Sequence, residues 1–346
     1  IPLWDCDYTE HDAVSRGPER DLVGDLAAAV RDRGLRFGAS YHANYNYYQP
    51  GFGGPDSHPA YPRGPLGADE TRPGPEYVDF MNAKHRELIR KYDPDVLWFD
   101  TPTADGEHLC ATDLIAEFYE SAAADGREVV VNDRAATEAT GTTIDGGRDP
   151  EDAHGDFVTP EYHTFDAVSD HKWEACRGIG RSFGYNRAET ASDHLSAGEL
   201  VRTFVDVVSK NGNLLLNVGP RADGTIPELQ REPLEGLGEW LDVHGEAVFG
   251  SRPWVAAEDD RSEVPVRYTW RDGALYATAL EWPGDSLALA SPAASSPESA
   301  TLLTTDGAVD CEASAERDGA RVSLPARPSH DHAYVVRFDG VDHPER

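Results

Sequence analysis

From residue 22 to about residue 218 the chain alternates between helical and strand-like spacing of its apolar positions. Leu22, Leu26 and Val30 mark one stripe of a helix that Pro18 and Glu19 open and Gly34 closes. A strand over residues 35–41 follows. The next helix, over 76–92, turns Tyr77, Phe80, Met81, Leu88 and Ile89 inward. Further strands are predicted at 95–100 (ending VLWFD), 128–133 (EVVVND), 156–162 (DFVTPEY), 181–185 and 213–218. Helices are predicted near 112–124, over 197–209 and from about 229.

This alternation calls for a parallel sheet with crossover helices. No GxGxxG or phosphate-loop pattern follows the first strand, which favours a (β/α)8-type, TIM-like barrel over a nucleotide-binding sheet. Strand ends fall near Tyr41, Asp100, Asp133, Tyr162, Tyr185 and Asn217, whereas a closed barrel of this type needs eight strands. The expectation is therefore an α/β barrel lacking its N-terminal strands, the shortfall lying ahead of Ile1, which is not an initiator methionine. After Gly250 the pattern becomes short alternating runs at 264–270, 274–280, 286–290 and 333–338, separated by Gly, Pro and Ser clusters. That pattern predicts a small β-sandwich. The expected domains are 1–252 and 253–346, with the change of character near 251–258.

Composition narrows the function classes. A net charge of −32 over 346 residues would repel nucleic-acid phosphates. The acidity is diffuse, and lysine is confined to Lys84, Lys91, Lys172 and Lys210, so arginine supplies nearly all of the 31 cations. A solvated acidic surface of the halophilic kind accounts for this better than a docking patch. No apolar run is long enough to span a membrane, and no signal peptide is visible. Cys6, Cys110, Cys176 and Cys311 are widely spaced, with no CxxC or metal-ligand pattern, which fits a cytoplasmic protein with neither a disulfide framework nor a zinc site. No metal or other cofactor is expected; His42, His163 and His171 read as polar rim residues without helical HxxxH spacing.

Candidate chemistry collects at strand ends, which converge on one face of such a barrel. Asp100 ends VLWFD, Arg134 follows VVVND, Glu161 lies in DFVTPEY and Asn217 ends the last strand. Two carboxylates from different strands, joined by an arginine and aromatics, suit glycosidic-bond cleavage: one attacks the anomeric carbon and the other protonates the leaving oxygen. Each residue also has an ordinary use. Asp100 suits a helix cap, Glu161 an exposed loop, Trp98 a core position and Arg134 an ion pair with Asp133.

Longer blocks carry a family resemblance in order and spacing. They run from LWDCDYTEHDAVSRGPERDLVGDL at Leu3 through VLWFD, VVVNDR, TPEYH, KWEACRGIGRSFGYNR and NGNLLLNVGPRADGTIP to GLGEWLDVHGEAVFG, which ends at Gly250. Together they resemble the α-L-fucosidases of glycoside hydrolase family 29. The resemblance implies a retaining α-L-fucosidase acting on fucosylated glycans or glycosides, with Asp100 as nucleophile and Glu161 as acid/base. Glu174 in KWEAC is the fallback for the second role. It also implies substrate-side places for Trp98, Arg134, Tyr41 and His42. The family's His-His-Asp-Gly-Phe block would lie ahead of Leu3, so the alternative is a catalytically impaired or merely carbohydrate-binding version. An open barrel edge would favour homo-oligomers.

Overall fold

Asp21 opens the first helix, α1 (Leu22–Arg31), by accepting a hydrogen bond from the Gly24 N–H. Its buried stripe is shifted from the expected one. Leu26 is 60% exposed, whereas Ala27 is buried with Val23 and Val30 packed on the same core. We describe a computed structural model over residues 2–41, 75–100, 111–134, 155–291, 299–329 and 332–343. These residues form two compact units, 1–159 and 160–346.

In the first unit, strands β1 (Gly38–Tyr41), β2 (Val96–Phe99) and β3 (Val130–Val131) form a parallel sheet in that order. Helices α2 (Pro75–Tyr92) and α3 (Ala111–Ala124) supply the apolar cover. Ala39, Tyr41, Leu97, Phe99 and Val131 join Met81, Leu88, Leu114, Ile115 and Phe118 in one core, so alternate strand residues point to the helices. Gly34 follows α1, as the pattern predicts, and Gly126 follows α3, both at positive φ. The expected strand at 156–162 is not continuous. It survives as two isolated parallel pairings, Asn132 with Phe157 and Glu161 with Cys176.

The second unit contains a parallel pair, β4 (Trp173–Gly178) and β5 (Gly212–Asn217), with α4 (Ala197–Ser209) and α5 (Glu228–His244). Ser196 and Glu199 form a reciprocal capping box at the start of α4. The strand expected at 181–185 is absent. That segment is a bent loop, and the strand lies earlier, in WEACRG, where half-exposed Glu174 and Arg177 interrupt the apolar run.

The remainder is an eight-stranded antiparallel sheet built from β6 (Arg252–Glu258), β7 (Val266–Arg271), β8 (Ala274–Ala279), β9 (Ser286–Leu289), β10 (Ser299–Thr304), β11 (Gly307–Glu316), β12 (Gly319–Ser323) and β13 (Tyr334–Asp339). Its order is β6-β7-β8-β13-β10-β11-β12-β9. Residues 252–258, expected as the change of character, are thus themselves a strand paired with β7. Strand β8 is buried on both faces. Leu275, Ala277 and Ala279 enter one core, while Ala274 and Tyr276 enter another with Val201 and Val205 of α4 and Trp240 of α5. The Trp240 indole N–H donates to Ala333 O at 3.0 Å, fixing α5 to the start of β13. None of the described helices is long and apolar enough to cross a membrane.

Helix α2 also buries polar groups that its apolar spacing does not announce. His85 is 1% exposed, stacks on Phe99 and donates from Nδ1 to Met81 O at 3.0 Å. Burial, aided by the charges of Lys84 and Arg86, pushes its imidazole down from 6.5 to about 4. The unfolded chain therefore binds a proton below about 6.5 that the folded chain refuses until about 4, so stability falls as pH drops through that window. Replacing His85→Phe should flatten urea-denaturation stability between these pH values, removing at most on the order of 3 kcal/mol of the change. An unaltered slope would contradict the buried neutral imidazole.

Candidate active site

Strand β3 is only two residues long, so the backbone at the end of β2 needs other partners. Asn132, fully buried, supplies them: Oδ1 accepts from the Phe99 N–H at 2.7 Å and Nδ2 donates to Phe99 O at 2.8 Å. This clamp fixes the chain one residue before Asp100. Two residues beyond Asn132, the Arg134 side chain is 1% exposed and spreads its donors over three acceptors. Nη1 donates to Asp100 Oδ1 at 2.9 Å, Nε to Thr159 Oγ1 at 2.8 Å, and Nη2 to Thr159 O at 2.9 Å. Thr159 Oγ1 donates onward to Asp133 Oδ1 at 2.8 Å. The guanidinium carbon also lies 4.6 Å from the centre of the Trp98 ring.

The arrangement answers the cost of burying a cation, which is severe unless its donors are paired. It also leaves Asp100 chemically available. The Asp100 side chain is 23% exposed while its partner is almost wholly enclosed. Gly155 permits the close packing around Asp133, since a Cβ there would meet Asp133 N and Cα at 2.9 Å.

Glu161 lies in the second unit, half-buried and bridged to Cys176 of β4. Its neighbours fix it from both sides: Pro160 O accepts from the Cys176 N–H at 2.9 Å, and the Tyr162 N–H donates to Cys176 O at 3.0 Å. Tyr162 adopts φ 51°, outside the range that most side chains prefer. Its hydroxyl accepts from the Gly178 N–H at 3.1 Å and donates to Gly180 O at 3.2 Å. Glu174 is half-buried on β4, opposite Asn213 of β5. At the end of β5, the Asn217 amide donates to Phe183 O.

Of the expected site residues, the structure brings Asp100, Arg134 and Trp98 into direct contact. Tyr41 lies within the core of the first unit, 7% exposed, edge-on to Trp4 and His85, its hydroxyl accepting from Lys84 Nζ at 3.0 Å. His163 and His171 are exposed. His42 lies outside the described residues. Sequence reasoning overlooked Asn132 and Thr159. An Asn closing an apolar strand was a usable signal for the first; nothing in the sequence marks the second.

A family profile described as Alpha-L-fucosidase matches residues 1–246. The chain belongs to the alpha-L-fucosidase family. It is 33% identical over 326 residues to tissue alpha-L-fucosidase of Rattus norvegicus, covering 90% of this chain and 63% of the relative. The tissue alpha-L-fucosidase of Homo sapiens is 32% identical, covering 94% of this chain and 66% of the relative. The chain thus spans just under two thirds of the length of these curated family members. Among solved structures, the Thermotoga maritima alpha-fucosidase in complex with a mechanism-based inhibitor superposes with TM-score 0.78 at 35% identity, covering 97% of this chain and 72% of that one. Isoenzyme 1 from Paenibacillus thiaminolyticus gives TM-score 0.75 at 28% identity, covering 98% and 80%. The mixed helix-and-strand architecture is therefore that of the family.

The clamp makes a direct prediction. Asn132→Ala leaves the Phe99 N–H and C=O buried without those partners and should cost about 1–3 kcal/mol for each group left unsatisfied. A denaturant titration reads the loss, and a substitution that left stability unchanged would show that the clamp does not hold the end of β2.

Proposed function

We propose that this protein is a retaining α-L-fucosidase, hydrolysing terminal α-L-fucosides of glycans or glycosides by double displacement. The observation that carries the reading is the pair formed by Asp100 and buried Arg134 beside Trp98 at the end of β2. Family membership and a Thermotoga maritima relative solved with fucose support the substrate class.

Asp100 attacks the anomeric carbon and forms a glycosyl ester as the leaving oxygen departs. Glu161 donates a proton to that oxygen, then takes one from the water that cleaves the ester, releasing fucose and restoring both carboxyl groups. Arg134 aims the nucleophile through its hydrogen bond to Asp100. Trp98 offers an aromatic face to the apolar side of the sugar. Tyr41 contributes through the packing of its ring, and His42 is taken as a substrate-side residue. Glu174 is the substitute proton donor should Glu161 prove dispensable.

The same reading takes residues 1–252 as a catalytic (β/α)8-type barrel and 253–346 as a β-sandwich. The parallel sets β1-β2-β3 and β4-β5, followed by the eight-stranded antiparallel sheet, support that division. The non-catalytic alternative is not favoured, because Asp100 and Arg134 are in contact, as the catalytic reading requires.

Asp100→Gly should lose several orders of magnitude in kcat on an aryl α-L-fucoside and regain turnover with added azide, which takes the place of the missing carboxylate. Normal turnover in this variant would remove Asp100 from the mechanism. Glu161→Gln should lose about 10²–10⁴-fold on poor leaving groups and far less on fucosyl fluoride, which needs no proton. Equal losses on both substrates would reassign the acid role, with Glu174→Gln as the next variant.

A further inference from the structure

The loop over residues 179–195, between β4 and α4, closes at its neck, where the Leu195 N–H donates to Ile179 O at 3.0 Å. Inside it lies an ion pair. The side chains of Glu189 and His194 are only 6% and 7% exposed, with Oε2 and Nε2 3.5 Å apart. Both partners are tied to the loop backbone. Glu189 Oε1 accepts from the Ser182 N–H at 2.7 Å, and His194 Nδ1 donates to Thr190 O at 2.9 Å. A carbonyl oxygen only accepts, so Nδ1 carries a hydrogen and Nε2 is the nitrogen turned to the carboxylate.

Gly180 rests directly on this pair. A Cβ at that position would overlap Glu189 Oε2 and come within 3.1 Å of His194 Nε2. On its other side, Gly180 O accepts from the Tyr162 hydroxyl at 3.2 Å, and the same hydroxyl accepts from the Gly178 N–H at 3.1 Å. The Tyr162 ring also lies edge-on to Phe183 of the loop, with centroids 5.3 Å apart. Tyr162 is the chain neighbour of Glu161 and sits at φ 51°. A non-glycine residue keeps such a backbone only where its surroundings hold it there. Contacts therefore run from the buried pair, through Gly180 and Tyr162, to the backbone that carries Glu161.

We infer that Glu189 and His194 are positioning residues for Glu161. The buried pair sets where Gly180 lies, Gly180 holds the Tyr162 hydroxyl, and Tyr162 fixes the backbone from which the Glu161 carboxyl projects. This rests on the fucosidase reading above, with Glu161 as acid/base. Neither member of the pair needs to touch the sugar.

The test measures kcat/KM of the full chain on two substrates: an aryl α-L-fucoside with a poor leaving group, and α-L-fucosyl fluoride, which needs no proton. Wild type is compared with Glu161→Gln, Glu189→Ala, Glu189→Gln and Gly180→Ala. Glu189→Ala should lose about 10–100-fold on the poor leaving group, the scale of an acid misplaced by about 1 Å, and far less on the fluoride. Glu189→Gln should recover most of that loss, because its amide can still accept from the Ser182 N–H and donate to His194 Nε2. Gly180→Ala keeps both partners but drives a methyl group into their contact, so it should show the same split as Glu189→Ala. It also serves as the reading should Glu189→Ala fail to fold. The assignment is overturned if the variants lose equally on both substrates, if they lose on neither, or if Glu189→Gln is as impaired as Glu189→Ala. Wild type that cleaves neither substrate overturns the fucosidase reading, and the assignment with it. Glu161→Gln without the split removes the acid on which the assignment rests, so the three failures are told apart by these two controls.

Discussion

The buried guanidinium of Arg134 is the group on which the rest of the candidate site depends. A cation taken out of water costs several kcal/mol unless its donors are met, and here a carboxylate, a hydroxyl and a carbonyl meet them. The pairing works in both directions. Asp100 and Thr159 satisfy the arginine, and the arginine in turn fixes where Asp100 can point. Thr159 passes the constraint to Asp133, while Asn132 holds Phe99 from the neighbouring position in the same turn. Such networks are high-stakes because losing one member strands the others in a low-dielectric interior. The Asp100 carboxylate is thus positioned by groups that need not touch a substrate.

The scaffold around this network draws its stability from apolar packing more than from its many charges. Among the described residues several ion pairs are solvent-exposed, such as Arg20 with Asp25 and Arg231 with Glu235, and pairs of that kind contribute about 0–1 kcal/mol each. By contrast, β8 and β13 are buried on both faces, and α4 and α5 close one of those faces. The acidic surface therefore governs interaction with solvent and salt. The choice of fold rests with the cores.

Much of this was legible in the chain itself, for reasons that particular residues show. Elements with a clean period, such as α2, α4 and β2, lie where spacing predicts them. Strand β4 escaped notice because Glu174 and Arg177 break its apolar run at half-exposed positions, and the loop after it carried a misleading aromatic cluster. Strand β11 was hidden because it is mostly exposed, so it lacks a buried alternation to detect. At the site, Trp98, Asp100 and Arg134 could be named because they sit at strand ends. Thr159, which holds Arg134, and Asn132, which holds Phe99, could not. Thr159 is 25 residues away in sequence, and Asn132 acts on a backbone group 33 residues away. Tyr41 shows the same limit: its place at a strand end was readable, but its face depends on pairing with Phe99, and a shift of one residue would reverse it.

The most direct measurement is covalent trapping of the nucleophile. A 2-deoxy-2-fluoro-α-L-fucosyl fluoride destabilises the oxocarbenium-like transition states yet keeps a good leaving group, so a retaining enzyme accumulates its glycosyl ester. Digestion and peptide mass mapping then locate the added sugar. The account predicts a single fucosyl ester on Asp100. An ester on another carboxylate, in a protein that still turns over α-L-fucosides, would contradict it.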